Sequence, residues 1–139
     1  MTSKLIGIVA VGHGNLTTAM VDAVRKIMPD AQQITSVEID SNAPVEENRK
    51  KIGRAIQAVD QDVGVLLLTD MFGGTPSNLC LSFLKPNRIE VISGLNLPML
   101  IKLLGGMQQQ HFNEVVTFIQ RYGQKNIVIA SHVLQGKLD

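Results

Sequence analysis

Short apolar runs alternate along this chain with longer stretches whose apolar positions recur every three or four residues. The runs fall at residues 5–11, 34–39, 63–69, 89–93 and 127–130, and their Ile, Val and Leu content predicts buried strands. Helical stripes separate them. Met20, Ala23, Val24 and Ile27 form one, ended by Pro29. Val45, Ile52, Ile56 and Val59 form a second, with Ser41 and Asn42 as capping candidates and Glu46 and Glu47 in the first turn. Thr75 as N-cap, with Pro76 at the first helical position, opens a third. Asn96 precedes a fourth over residues 97–104, stopped by Gly105 and Gly106. Phe112, Val115, Val116, Ile119 and Tyr122 form a fifth, closed by Gly123. Strands alternating with helices predict an α/β fold, with a parallel sheet and helices on both faces, in a single domain over residues 1–139. Pattern alone leaves the direction of the last short run open.

Composition narrows the function classes. Apolar residues make up 45% and charged residues 18% of the 139, which suits a globular domain. A net charge of +1 gives no reason to expect nucleic acid or an anionic membrane as partner, and 4% aromatics leaves little for stacking on bases. Cys80 is the single cysteine, so a cysteine metal cluster is ruled out and a small core residue is expected. No apolar run approaches the roughly 18 residues of a membrane span, and the first strand begins too early for a signal peptide. The expectation is a cytoplasmic protein.

Two turns carry candidate chemistry. The first strand ends in Val11-Gly12-His13-Gly14, which sets a histidine between two glycines at the carboxyl end of a strand, where α/β folds put their ligands. A turn-capping histidine is the other reading of the same pattern. The third strand ends in Thr69-Asp70 and runs on as Met71-Phe72-Gly73-Gly74-Thr75-Pro76. An aspartate there needs solvent or hydrogen bonds, and a glycine pair before a helix start suits an anion such as phosphate. An ordinary strand-to-helix turn capped by Asp70 is the alternative. First and third strands are commonly neighbours in doubly wound sheets, which would bring His13 and Asp70 to one edge. A carboxylate on one imidazole nitrogen fixes the tautomer and leaves the other as a nucleophile, so a histidine beside a phosphate nest points to transient phosphohistidine.

Those two turns, together with Ser93-Gly94-Leu95-Asn96-Leu97-Pro98-Met99-Leu100, resemble the mannose-family enzyme IIA domain of the bacterial phosphoenolpyruvate:sugar phosphotransferase system (PTS) in order and spacing over nearly the whole chain. The resemblance implies a cytoplasmic phosphotransferase that takes phosphate from phospho-HPr and passes it to a IIB component, either for sugar uptake or as a regulator of phosphorylation state. It implies His13 as the residue phosphorylated through Nε2, Asp70 as the partner of Nδ1, and Gly73, Gly74 and Thr75 as the phosphate loop. No metal or cofactor is implied, and association with a membrane permease is peripheral at most. It further implies a doubly wound three-layer sandwich with four parallel strands and a short antiparallel fifth, residues 127–130, exchanged within a homodimer. The family often continues into a IIB domain, whereas this sequence stops at Asp139.

Rival readings explain less. A tetrapyrrole metal chelatase shares a Gly-His-Gly-like turn but wants a second histidine at a matching strand end. His111 and His132 stand elsewhere and read as surface or capping residues, and that reading leaves Gly73-Gly74-Thr75-Pro76 unused. The phosphotransferase subunit of dihydroxyacetone kinase would show Ser-His-Ser and Met-Gly-Ser. A receiver domain needs paired acidic residues after the first strand, and a nucleotide site needs a lysine-bearing phosphate loop or Gly-x-Gly-x-x-Gly. The methionines read as core filling. Met71 and Phe72 are read either as packing or as exposed contacts for HPr or IIB.

Overall fold

The computed structural model describes residues 3–136. Its elements run β1 (Gly7–His13), α1 (Leu16–Ile27), β2 (Ile34–Ile39), α2 (Val45–Val59), β3 (Val65–Thr69), α3 (Thr75–Leu81), β4 (Ile89–Ser93), α4 (Leu97–Leu104), a 3-10 turn (Met107–Gln109), α5 (Phe112–Lys125) and α6 (Ala130–Leu134). All four strands are parallel, in the order β2-β1-β3-β4. The central strands β1 and β3 are apolar up to their last residues, His13 and Thr69, because both their faces are covered. Ile8, Ala10, Leu66 and Leu68 pack with α1, α4 and α5 on one side. Val9, Val11, Val65 and Leu67 pack with α2 and α3 on the other. This is the doubly wound, three-layer α/β sandwich expected from the alternation of elements, with β1 beside β3.

Register then positions the site. Val11 pairs with Thr69 and His13 with Ile39, so His13 and Asp70 leave the sheet at the same carboxyl edge. Among the described residues, no helix is long and apolar enough to cross a membrane.

Several boundaries differ from expectation for identifiable reasons. β1 starts at Gly7 because the Leu5 N–H donates to Gln61 Oε1 and the Ile6 N–H to the Gln108 carbonyl, not to a neighbouring strand. β3 starts at Val65 because Gly64 turns the chain with φ 118°. α2 begins after Pro44 without a side-chain cap; its buried Asn48 instead donates to the Asp40 carbonyl and accepts from the Asp40 N–H. Gly123 does not close α5, which runs to Lys125. It lets α5 lie on α4, since a Cβ there would stand 2.6 Å from the Met99 sulfur.

The fifth strand expected over residues 127–130 does not form in the single chain. Ala130 starts α6, and Ile127, Val128 and Ile129 are 80%, 61% and 60% exposed. A strand exists only through a ladder partner, and within one copy nothing pairs with this segment. Beyond Ile89, which pairs with Lys85, β4 keeps its outer edge free, beside a groove of about 520 Å³ lined by Val91, Ile92, Val116, Gln120, Ile127 and Phe72 among others.

β1 lies close on α2 at Gly7, where a Cβ would sit on the Val59 carbonyl and 2.6 Å from Val59 Cγ2. Gly7→Ala should therefore cost about 1–3 kcal/mol by overpacking. Urea denaturation checks this, and an unchanged midpoint would show that α2 can give way.

Candidate functional site

His13 is the last residue of β1, and its neighbours do two different jobs. Gly14 bends the chain away with φ 54°, a conformation that suits glycine. Gly12 supplies space instead: a Cβ on it would meet Thr17 Cγ2 at 2.5 Å and Asp70 Oδ2 at 3.3 Å. Thr17 and the Asp70 carboxylate are thus the groups that come close to the backbone at Gly12.

Asp70 follows directly on β3. Its Oδ2 accepts from the His13 backbone N–H at 2.9 Å and lies 2.7 Å from His13 Nδ1, and its Oδ1 accepts from the Met71 N–H at 2.9 Å. Burial pushes the carboxyl upward, but the backbone and ring hydrogen bonds from His13, the attraction of the ring, and the Met71 N–H outweigh it. Asp70 is held below its ordinary carboxylate value. An ionised carboxylate only accepts, so Nδ1 carries the proton and Nε2 bears the lone pair. The side chains are 9% exposed for Asp70 and 52% for His13, so the orienting group is enclosed while the imidazole faces solvent. In the neutral ring this arrangement leaves Nε2 as the nitrogen free to act as a nucleophile.

The Gly73–Thr75 turn closes over that nitrogen. A Cβ on Gly74 would stand 2.9 Å from His13 Cε1 and 3.2 Å from Nε2, so only glycine leaves room beside the ring. Gly73 adopts φ 87° and its N–H donates to Ser77 Oγ at 3.2 Å, so this donor is already engaged. The N-cap of α3 is Gly74, in extended backbone, and Thr75 is the first helical residue. Expected as the cap, the Thr75 hydroxyl is instead exposed and spared that duty. As the first turn of α3, Thr75 and Ser77 present N–H groups without intrahelical acceptors.

Sequence reading did not single out the groups supporting this edge. Buried Thr69 donates to Ser93 Oγ at 2.6 Å, and the Thr69 carbonyl accepts from Gly94 and Leu95, which clamps the end of β4 to the start of the Asp70 turn. Ser77 anchors Gly73. Asn48 steadies the loop after β2, and its signal was a polar residue standing three positions after Val45 in the apolar stripe. His111 caps α5 without a side-chain bond and His132 lies exposed on α6; neither joins His13. No three of His, Cys, Asp and Glu gather as a metal site among the described residues. Cys80 is fully buried, and burial pushes its thiol up to about 12, consistent with a packing role. Met71 and Phe72 are 55% and 74% exposed, so neither packs into the interior of the single chain.

Residues 7–120 match the family model EIIA-man, described as PTS system fructose IIA component. The PTS system fructose-specific EIIA component of Bacillus subtilis (strain 168) is 24% identical over 132 residues, covering 94% of this chain and 90% of that protein. The sorbose-specific EIIA component of Lacticaseibacillus casei is 25% identical over 115 residues, covering 82% and 83%. The crystal structure of phosphotransferase system component EIIA from Streptococcus agalactiae superposes with a TM-score of 0.80 at 24% identity, covering 91% of this chain and 98% of that one.

The lowered Asp70 value sets a pH dependence. A carboxyl depressed by folding contributes stability that is full above its unfolded value of about 3.9 and is lost as pH falls through the lower folded value. Asp70→Asn should cost about 1–2 kcal/mol at pH 7, a figure moderated by the exposure of the His13 ring. The gap between variant and wild type should narrow as pH falls below the unfolded carboxyl value of about 3.9 and on through the lower folded one. Urea titrations at pH 7 and at acid pH decide; a gap that is constant with pH would contradict the assignment.

Proposed function

Because this chain belongs to the EIIA-man family of PTS IIA components, we propose that it is a phosphoryl carrier in sugar uptake, taking phosphate from phospho-HPr on His13 Nε2 and passing it to a IIB component. The observation that carries this reading is the 2.7 Å contact of His13 Nδ1 with Asp70 Oδ2, which leaves Nε2 as the free nitrogen. In the forward step the Nε2 lone pair attacks phosphorus, the new N–P bond forms as the donor's N–P bond breaks, and the donor imidazole keeps the bonding electrons. The proton on Nδ1 stays in place. Asp70 stabilises the positive charge that develops on the ring, which is the role of the carboxylate in a serine-hydrolase triad. The second step is the same exchange with the acceptor.

The phosphoryl oxygens need donors as charge shifts. In this reading Gly74, Thr75 and the Thr75 hydroxyl provide them, and Gly73 shapes the loop. One positioned donor of this kind is worth roughly 2.7–4 kcal/mol in oxyanion holes. Met71, Phe72 and Leu16, all at least half exposed, supply an apolar rim for the partner around His13. The chain is read as a homodimer in which residues 127–130 of one copy add to the free β4 edge of the other, covering unpaired backbone groups.

Incubation with phosphoenolpyruvate, enzyme I and HPr should put an acid-labile phosphate on His13, absent from His13→Ala. Gly74→Ala, whose methyl displaces the ring, should slow transfer on the order of 10², the cost of about an ångström of misplacement. Mass spectrometry and single-turnover kinetics test both; phosphate that persists in His13→Ala refutes the assignment.

A chain ending at Lys125 should lose the dimer by light scattering, while the longer chain keeps it at micromolar concentration. A full-length monomer would exclude strand exchange without touching the His13 site.

A further inference from the structure

Two apolar stripes end in a hydroxyl at the same register. Val65, Leu67 and Thr69 share one face of β3, and their ladder partners Ile89, Val91 and Ser93 share the same face of β4. The apolar members pack into the core formed with α2 and α3. Valine would fill the last position of the β3 stripe, yet Thr69 stands there fully buried with a polar atom. Buried departures from pattern gather where function holds them.

The bonds of Thr69 frame the next residue, Asp70. Its Oγ1 donates to Ser93 Oγ at 2.6 Å and stands 3.4 Å from the Met71 carbonyl. Its own carbonyl accepts from the Gly94 and Leu95 N–H groups, both at 3.0 Å. That carbonyl shares a planar peptide with the Asp70 nitrogen, so the end of β4 fixes the plane from which Asp70 departs. On the far side, the Met71 N–H donates to Asp70 Oδ1 and leaves Oδ2 for the two donors of His13. One hydroxyl thus reaches both β4 and the main chain that follows Asp70.

We propose that Thr69 is a positioning residue for the Asp70 carboxylate, with Ser93 holding the Thr69 hydroxyl from β4. The hydroxyl steadies the Met71 main chain, so that the Met71 N–H stays on Oδ1 and Oδ2 stays turned to His13. During transfer the ring becomes positive, and a carboxylate already in place stabilises it without rearranging. Neither hydroxyl bonds to His13, and no proton or covalent bond moves at Thr69 or Ser93. The purpose of this device rests on the phosphohistidine reading; the geometry it controls does not.

Thr69→Val keeps the shape and removes the hydroxyl, and Thr69→Ser keeps the hydroxyl. Nitrogen-resolved NMR of the unphosphorylated full-length protein reads exchange of the His13 Nδ1 proton with water, which requires the bond to Oδ2 to open. Exchange should quicken roughly 3–10-fold in Thr69→Val, the range carried by one neutral hydrogen bond. Carbon-detected titration should show the Asp70 carboxyl moving up toward its ordinary value. Thr69→Ser should restore both. Adding Ser93→Ala to Thr69→Val should change neither further, because Ser93 acts only through the Thr69 hydroxyl. Single-turnover transfer from phospho-HPr should slow by the same factor at an unchanged half-saturating donor concentration, since Thr69 is buried. Should Thr69→Val fail to fold, Thr69→Ala against Thr69→Ser makes the same comparison. Wild-type exchange and titration in the folded variant lacking the hydroxyl, a Thr69→Ser that behaves like it, or a further change in the double variant overturns the inference. A wild type that never carries phosphate on His13 would instead defeat the functional reading and leave both NMR comparisons standing.

Discussion

One carboxylate oxygen, Asp70 Oδ2, holds both the backbone and the ring of His13, and the site depends on that double contact. The backbone bond ties the end of β1 to the residue after β3, and the ring bond selects the tautomer. Because both donors come from one residue, the ring cannot be oriented independently of the strand that bears it. Positioning is inherited from the sheet, the stiffest part of the molecule, instead of from a loop.

That inheritance explains the apolar interior. β1 and β3 lie side by side with both faces covered, so their register is fixed by packing on two sides, and a slip of one residue would exchange every side chain between the two cores. His13 and Asp70 then follow the last packed residues by one or two positions. Space is controlled as tightly as bonding. Gly12 admits the carboxylate from below and Gly74 admits the ring from the side, each by lacking a side chain.

Much of this was legible in the sequence, because it follows from local pattern. Apolar runs and helical stripes marked the layers, and the strand-end positions of His13 and Asp70, with adjacency of the first and third strands, brought the pair together. Gly73-Gly74 was legible as a turn, whereas the helical position of Thr75 depended on the extended backbone of Gly74. Thr17 was not legible: a threonine at the start of an amphipathic helix reads as solvent-facing, and it is buried only because Gly12 leaves room across the turn. Gly123 read as a stop because its contact lies on another helix, at Met99. Residues 127–130 read as a strand from composition, but ladder formation belongs to a pair of strands and cannot be carried by one segment.

The free edge of β4 and the exposed Ile127, Val128 and Ile129 beside it also bear on what the word stability means for this chain. If the segment joins a second copy as proposed, part of the folded state's free energy is supplied by mass action, and it varies with the logarithm of protein concentration. Dilution would then act as a perturbant in its own right. A melting temperature would characterise the protein only with the concentration stated beside it.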